Sequence, residues 1–82
     1  MAKVSVRFFA RYAELAGCDC SAVTVSTPAT VSDVIARVRE VFPGTQAIPP
    51  RPLAALNQRQ VKLDAPVSEG DEVALLPPLS GG

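Results

Sequence analysis

From Lys3 to Phe9 the chain alternates, with Val4, Val6 and Phe8 on one side and Lys3, Ser5, Arg7 and Phe9 on the other. That period of two predicts a half-buried strand. Phe9 sets an aromatic ring on the polar side, as edge burial or as a contact residue. Residues 10–16 are good helix formers and stop at Gly17, which predicts a short helix followed by a turn over 17–20. Ser21 to Ser26 alternates again through Val23 and Val25, giving a second strand that pairs hairpin-like with the first. The clearest helix spans Val31 to Phe42, with Thr30 as N-cap and Asp33 three residues on in a capping-box spacing. Val31, Val34, Ile35, Val38, Val41 and Phe42 form one apolar stripe, leaving Arg37, Arg39 and Glu40 toward water.

Pro43-Gly44 ends that helix, and Pro49, Pro50 and Pro52 make residues 45–52 a surface connection. Two short strands follow, Leu53 to Asn57 and Gln60 to Leu63, around a polar turn at Asn57-Gln58-Arg59. Residues 64–71 form a turn-rich acidic loop. A last strand, Glu72 to Leu76, precedes Pro77-Pro78. If Val73 and Leu75 face the helix, Ala74 and Leu76 face outward on the side of Phe9 and form an apolar contact surface, unless a loop covers them or the strand slips register.

Strand, strand, helix, strand, strand, strand is the element order of the ubiquitin-like β-grasp. The fold class predicted is α+β: a mixed sheet of about five strands, first and last parallel at its centre, with one long helix packed on one face. An antiparallel α+β sandwich of another topology has nearly the same order. Residues 1–78 are expected as the domain and 79–82 as a projecting tail.

With 82 residues there is room for one small domain. Four aromatics (three Phe and one Tyr) and no Trp leave the core to Val, Leu, Ile and Ala. Eight basic and eight acidic side chains give zero net charge, which removes the global field that attracts nucleic acid or anionic lipid. The absence of His excludes Ser-His-Asp, Cys-His and His-containing zinc chemistry within the chain. Cys18 and Cys20 are too few and too close to staple a fold, so a reduced pair is expected, with a redox or persulfide relay as the other reading. No apolar run reaches the length of a membrane span, and Lys3, Arg7 and Arg11 interrupt any signal-like stretch. A cytoplasmic protein without a membrane partner is expected.

The chemistry points to the tail Leu79-Ser80-Gly81-Gly82. Pro77-Pro78 ends the last strand and favours an extended chain. Four residues then reach at most about 14 Å, enough to thread a narrow channel. Without a Cβ, Gly81 and Gly82 let reactive groups approach a terminal carboxylate closely. A carboxylate is a poor electrophile, and the chain has no phosphate loop, metal cluster or base, so activation must come from another protein. A chance pair of glycines and a cloning remnant are the plain alternatives. Asp64, Glu69, Asp71 and Glu72, with no Lys or Arg from 64 to 82, predict an acidic neighbourhood that steers the tail to a basic partner, unless they form only a solvated loop.

Three stretches, Val6 to Gly17, Leu53 to Gln58 and Leu63 to Gly82, resemble the sulfur-carrying small subunits of molybdopterin synthase, the MoaD family, over nearly the whole chain. Gly70-Asp-Glu-Val-Ala followed by Pro77-Pro78 and Gly81-Gly82 is the most specific block. The resemblance implies a β-grasp and a carrier that is not an enzyme on its own. An adenylating enzyme related to the ubiquitin-activating enzymes would activate the Gly82 carboxylate with ATP and magnesium, and a sulfur donor would convert it to a thiocarboxylate. The large catalytic subunit of the synthase would then pass that sulfur to a pterin precursor during molybdenum cofactor biosynthesis. Gly82 is thus the implied reactive residue and Gly81 its slender spacer. Phe9, Gln60, Leu76, Pro77, Pro78, Leu79 and Ser80 are the implied partner-binding positions. No cofactor is expected on the chain itself. Two Phe are common before the two Pro, where this chain has Leu75 and Leu76, and Gln60 stands where an apolar contact is often found. Sulfur carriage for thiazole, cysteine or tRNA thiolation, covalent protein modification through Gly82, and a non-covalent interaction module remain alternatives.

Overall fold

The computed structural model describes residues 1–78. Its elements are β1 (Ala2–Phe8), α1 (Arg11–Ala16), β2 (Cys20–Val25), β3 (Ala29–Thr30), α2 (Val31–Val41), a 3₁₀ turn (Pro43–Ala47), β4 (Leu53–Leu56), β5 (Arg59–Val61), β6 (Pro66–Val67) and β7 (Glu72–Leu76). Five strands form one sheet in the order β2-β1-β7-β4-β5, and β3 with β6 forms a separate two-stranded ribbon. β1 and β7 run parallel, from Ser5 opposite Glu72 to Phe8 opposite Leu75, while β1–β2, β4–β7 and β4–β5 are antiparallel. The mixed β-grasp sheet expected from the element order is present, with β7 at its centre. Among the described residues no helix is long and apolar enough to cross a membrane.

The two longest periodic segments explain the core. β1 alternates buried and exposed along its whole length, so Val4, Val6 and Phe8 turn to α2 together. Val31, Val34, Ile35 and Val38 of α2 close over them and over Val73 and Leu75. Entry into α2 is fixed by the Thr30–Asp33 capping box: Asp33 Oδ2 accepts from the Thr30 amide at 2.8 Å, and Thr30 Oγ1 accepts from the Asp33 amide at 3.4 Å. Phe42, the C-cap residue, meets Phe8 edge to face at 5.7 Å between ring centres, a favoured geometry for the ring quadrupoles.

Several expectations change. Phe9 lies outside β1, and the second strand begins at Cys20 instead of Ser21. Val41 is 43% exposed and leaves the apolar stripe. Arg39 is half-buried: its Nη1 donates to the carbonyls of Thr45 and Ile48, and its Nη2 to that of Pro49. The connection after α2 is therefore not purely superficial. It opens with the 3₁₀ turn and buries Thr45, whose hydroxyl donates to the Phe42 carbonyl at 2.6 Å, together with Ile48.

The β4–β5 turn contains two residues, not three, because Asn57 and Gln58 both adopt positive φ (51° and 72°), as a type I′ hairpin requires. β5 accordingly covers Arg59–Val61. The loop expected over 64–71 contains β6 paired with β3, a ribbon of two-residue strands too short to leave a periodic signal.

Candidate functional site: a sheet face beside the end of β7

The site grows from register. Val73 and Leu75 face the core, so Ala74 and Leu76 occupy the opposite side of the sheet. Across that outer face Ala74 stands opposite Arg7 on β1 and Ala55 on β4, and Ala55 in turn stands opposite Gln60 on β5. One step toward the end of β7, Leu76 stands opposite Leu53. Phe9, just past β1, is at the same level, since Phe8 pairs with Leu75. The side chains expected at partner contacts thus arrive from separate elements: Phe9 from the β1–α1 junction, Leu76 and Pro77 from β7 and its exit, and Gln60 from the edge strand. Phe9, Leu76 and Pro77 are half-buried, while Gln60 and Pro78 are exposed.

Ala74 does not project as an exposed apolar group. It is 7% exposed, and its cross-strand neighbour Ala55 is 8% exposed, although neither belongs to the main core. On the central strand a methyl group is shorter than the flanking Arg7, Leu76 and Leu53 side chains, which shade it. The two alanines form a floor and the larger residues its walls. Sequence reasoning missed Leu53, which is 41% exposed beside Leu76. Its outward direction was available from the alternation of β4, but its place beside Leu76 required the β4–β7 register.

Of the four carboxylates expected to surround the tail, which itself lies outside the described residues, Asp64 lines a depression with Leu53 near the end of β7, whereas Glu69, Asp71 and Glu72 stand near its start. Glu69 Oε1 accepts from the Lys3 amide at 2.8 Å, while Asp71 accepts from the Ser68 amide at 2.7 Å and from Asn57 Nδ2 at 3.1 Å. These carboxylates organise the loop that enters β7. They stand at the start of β7, one strand length from Leu76, or about 13 Å at the usual rise per residue. At the other end Arg7 leans its guanidinium over the Phe9 ring, 5.1 Å from the centroid, a favourable cation–π position. Arg51 and Lys62 line one depression with Leu53.

Cys18 and Cys20 are free, the first half-buried and the second exposed, with Cys20 opposite Arg7 on the β2 edge. Among the described residues no group of three or more His, Cys, Asp or Glu side chains gathers to hold a metal ion. The expected reactive and channel-threading residues, Leu79, Ser80, Gly81 and Gly82, lie outside the described residues.

A model of the ThiS family matches residues 6–82, which includes β1 from Val6, the outer-face strands and the Gly-Gly pair. The chain belongs to the ThiS family. This ThiS-family chain is 36% identical over 88 aligned residues to the molybdopterin synthase sulfur carrier subunit of Escherichia coli, covering 96% of this chain and 99% of that protein. The resemblance to that group of carriers, read from the three stretches above, is borne out. Among solved structures it is similar to small archaeal modifier protein 1 of H. volcanii, with a TM-score of 0.88 and 26% identity over 96% of this chain and 100% of the other. It is also similar to a chain in the complex of subunits 1 and 2 of the molybdopterin-converting factor from Helicobacter pylori, with a TM-score of 0.69 and 25% identity over 98% of this chain and 99% of that one.

Proposed function

We propose that this chain is the sulfur-carrier small subunit of molybdopterin synthase, loaded at Gly82 by a separate adenylating enzyme. The observation that carries the reading is positional. β7, the central strand, ends beside Phe9, Leu53 and Leu76, and the family match continues from there through Pro77-Pro78 to Gly81-Gly82. A docking face at the root of a slender tail suits a protein that inserts its end into a partner's site.

In the proposed cycle a carboxylate oxygen of Gly82 attacks the α-phosphorus of magnesium-bound ATP on the activating enzyme, and pyrophosphate leaves. A sulfide-level nucleophile then attacks the acyl carbon. AMP departs with the former carboxylate oxygen, and the thiocarboxylate remains. In the large catalytic subunit the thiocarboxylate sulfur bonds to a carbon of the pterin precursor, and water then cleaves the acyl–sulfur bond, leaving the sulfur on the pterin and restoring the Gly82 carboxylate. The carrier's sequence has no histidine and no phosphate loop, and among the described residues no cluster of metal-ligating side chains gathers. Its own residues act by docking and by presenting an unbranched end, so it is a substrate-delivering subunit and not a catalyst. Likeness to the E. coli carrier and to the H. pylori subunit complex supports both the pathway and the large-subunit partner.

The test is intact-mass measurement after incubation with the cognate adenylating enzyme, ATP, magnesium and a sulfur donor. Exchange of oxygen for sulfur adds about 16 Da, the nominal increment of Met1 or cysteine oxidation, so fragmentation must place the change at Gly82. No change at Gly82, with an enzyme proven active on another carrier, overturns the reading. The likeness to an archaeal modifier favours one second reading, an isopeptide bond from Gly82 to a lysine of a target protein. It predicts branched peptides ending in Gly-Gly on lysine instead of a thiocarboxylate.

A further inference from the structure

The structure assigns a charge requirement to the docking face: its apolar pair, Leu53 and Leu76, is bracketed by cations, and we propose that it recognises a partner surface whose apolar contacts are flanked by carboxylates. Arg7 stands on the β1 side, and Arg51 with Lys62 on the β4–β5 side. The inference rests on the carrier reading and adds the chemistry of the surface that receives the tail.

Four observations carry it. The Arg7 guanidinium lies over Phe9, so it leans along the sheet toward the level of Leu76. Asp19 and Glu72 line the same shallow depression as Arg7, yet the only ion pair among the described residues is Arg37–Glu40 on α2. Arg7 is thus stacked on Phe9 and makes no ion pair with the two carboxylates that line its depression. On the other side Arg51 and Lys62, both exposed, share a depression with Leu53, and of the carboxylates only Asp64 lines it.

Charge is unevenly placed along this face of a chain of zero net charge. Glu69, Asp71 and Glu72 lie where β7 begins, Arg7 stands opposite its middle residue, Ala74, and Arg51 and Lys62 line the depression beside Leu53, which is opposite its last residue, Leu76. Such an arrangement orients an approaching partner without a net charge, and complementary charge of this kind raises association rates by about 10- to 1,000-fold at low ionic strength. Isolated exposed pairs would add little. The effect is therefore expected mainly in the association rate and its salt dependence.

The experiment measures association of full-length carrier with the cognate large synthase subunit by stopped flow across a range of salt concentrations. Arg7→Glu and the double variant Arg51→Glu/Lys62→Glu are each expected to slow association at low salt by about 10-fold or more and to flatten its salt dependence. Arg7→Lys, which keeps the charge, should retain most of the wild-type rate, and Arg59→Glu, at the far end of β7, should change it less than about 2-fold. Thermal melts confirm that each variant is folded. Wild-type rates and salt slopes in both reversal variants overturn the charge requirement and leave the carrier reading standing. No association of the wild-type chain with the large subunit overturns both.

Discussion

Leu76 on β7 stands directly across from Leu53 on β4, and both lie on the sheet face turned away from α2. A partly exposed cross-strand apolar pair contributes about 0.2–1 kcal/mol relative to two alanines, a small share of folding stability for two leucines beside the exit of β7. Leu53→Ala and Leu76→Ala should each lower folding stability by no more than about 1 kcal/mol. Each should weaken binding of the large subunit by about 2 kcal/mol, roughly 30-fold, if the pair fills one pocket of the partner. Calorimetric titration of both single variants and the double variant checks this. The double variant should lose less than the sum, because the two side chains share one contact. Wild-type affinity in both single variants removes the pair from the interface.

Arg39 ties α2 to the chain that follows it. Its Nη1 donates to the carbonyls of Thr45 and Ile48 at 2.9 Å, and Nη2 to that of Pro49 at 2.7 Å. Charge-assisted bonds of this kind contribute about 1.5–3 kcal/mol, and truncation leaves half-buried carbonyls unmet. Arg39→Met should therefore cost about 2–3 kcal/mol, and a domain of this size loses roughly 4–8 °C of Tm per kcal/mol. Arg39→Lys should recover less than half of that loss, since a single ammonium lacks the planar fork that spans three carbonyls. Urea unfolding of the two variants distinguishes this from simple loss of charge, for which Lys would restore full stability.

Two glycines make opposite demands. Gly17 closes α1 with φ of 81° and has open space where a Cβ would stand, whereas a Cβ on Gly44 would collide with the backbone carbonyl of Leu15. Gly17→Ala should cost about 1–2 kcal/mol for the left-handed backbone alone. Gly44→Ala must push α1 off the 3₁₀ turn and should cost the larger amount, about 2–3 kcal/mol. Asparagine separates the causes. It tolerates the left-handed region, so Gly17→Asn should melt above Gly17→Ala, while Gly44→Asn should melt below Gly44→Ala. The reverse order at position 44 would show that α1 moves freely there.

What the sequence made legible follows from the length of each signal. β1 and α2 carry seven and eleven residues of clean periodicity, and the capping box is spelled out by Thr30 and Asp33, so these elements could be read directly. β3 and β6 have two residues each, too few for any period, and exist because tertiary packing brings them together. Gln58 gave no hint of its positive φ, since that conformation is usually marked by Gly or Asn. The Gly-Gly pair stands out in the sequence because its information is local, and it lies outside the described residues. The outer face was only partly legible: the neighbours of Leu76 are set by strand register, and the same register puts Glu69, Asp71 and Glu72 a strand length from Leu76.

The spacer glycine gives the sharpest separation of carrier chemistry from folding. Among the described residues the buried core is assembled from residues between Ala2 and Leu75; on the carrier reading position 81 serves delivery and not packing, and a side chain added there is expected to leave Tm within about 1 °C of wild type, the scatter expected of a surface change. Its effect on delivery should be large. A channel that admits a residue without a Cβ has no room for a β-branched side chain, and misplacing the reacting atom by about 1 Å can cost 100-fold in rate. Gly81→Val should reduce single-turnover sulfur transfer to the pterin precursor by at least about that factor, and Gly81→Ala by an intermediate amount. The measurement begins from carrier already bearing the thiocarboxylate, prepared for each variant, so that slow loading is not mistaken for slow transfer. Wild-type transfer by Gly81→Val would mean that the partner reads the end of the chain on an open surface, and the threading argument would fall while the Gly82 chemistry stood.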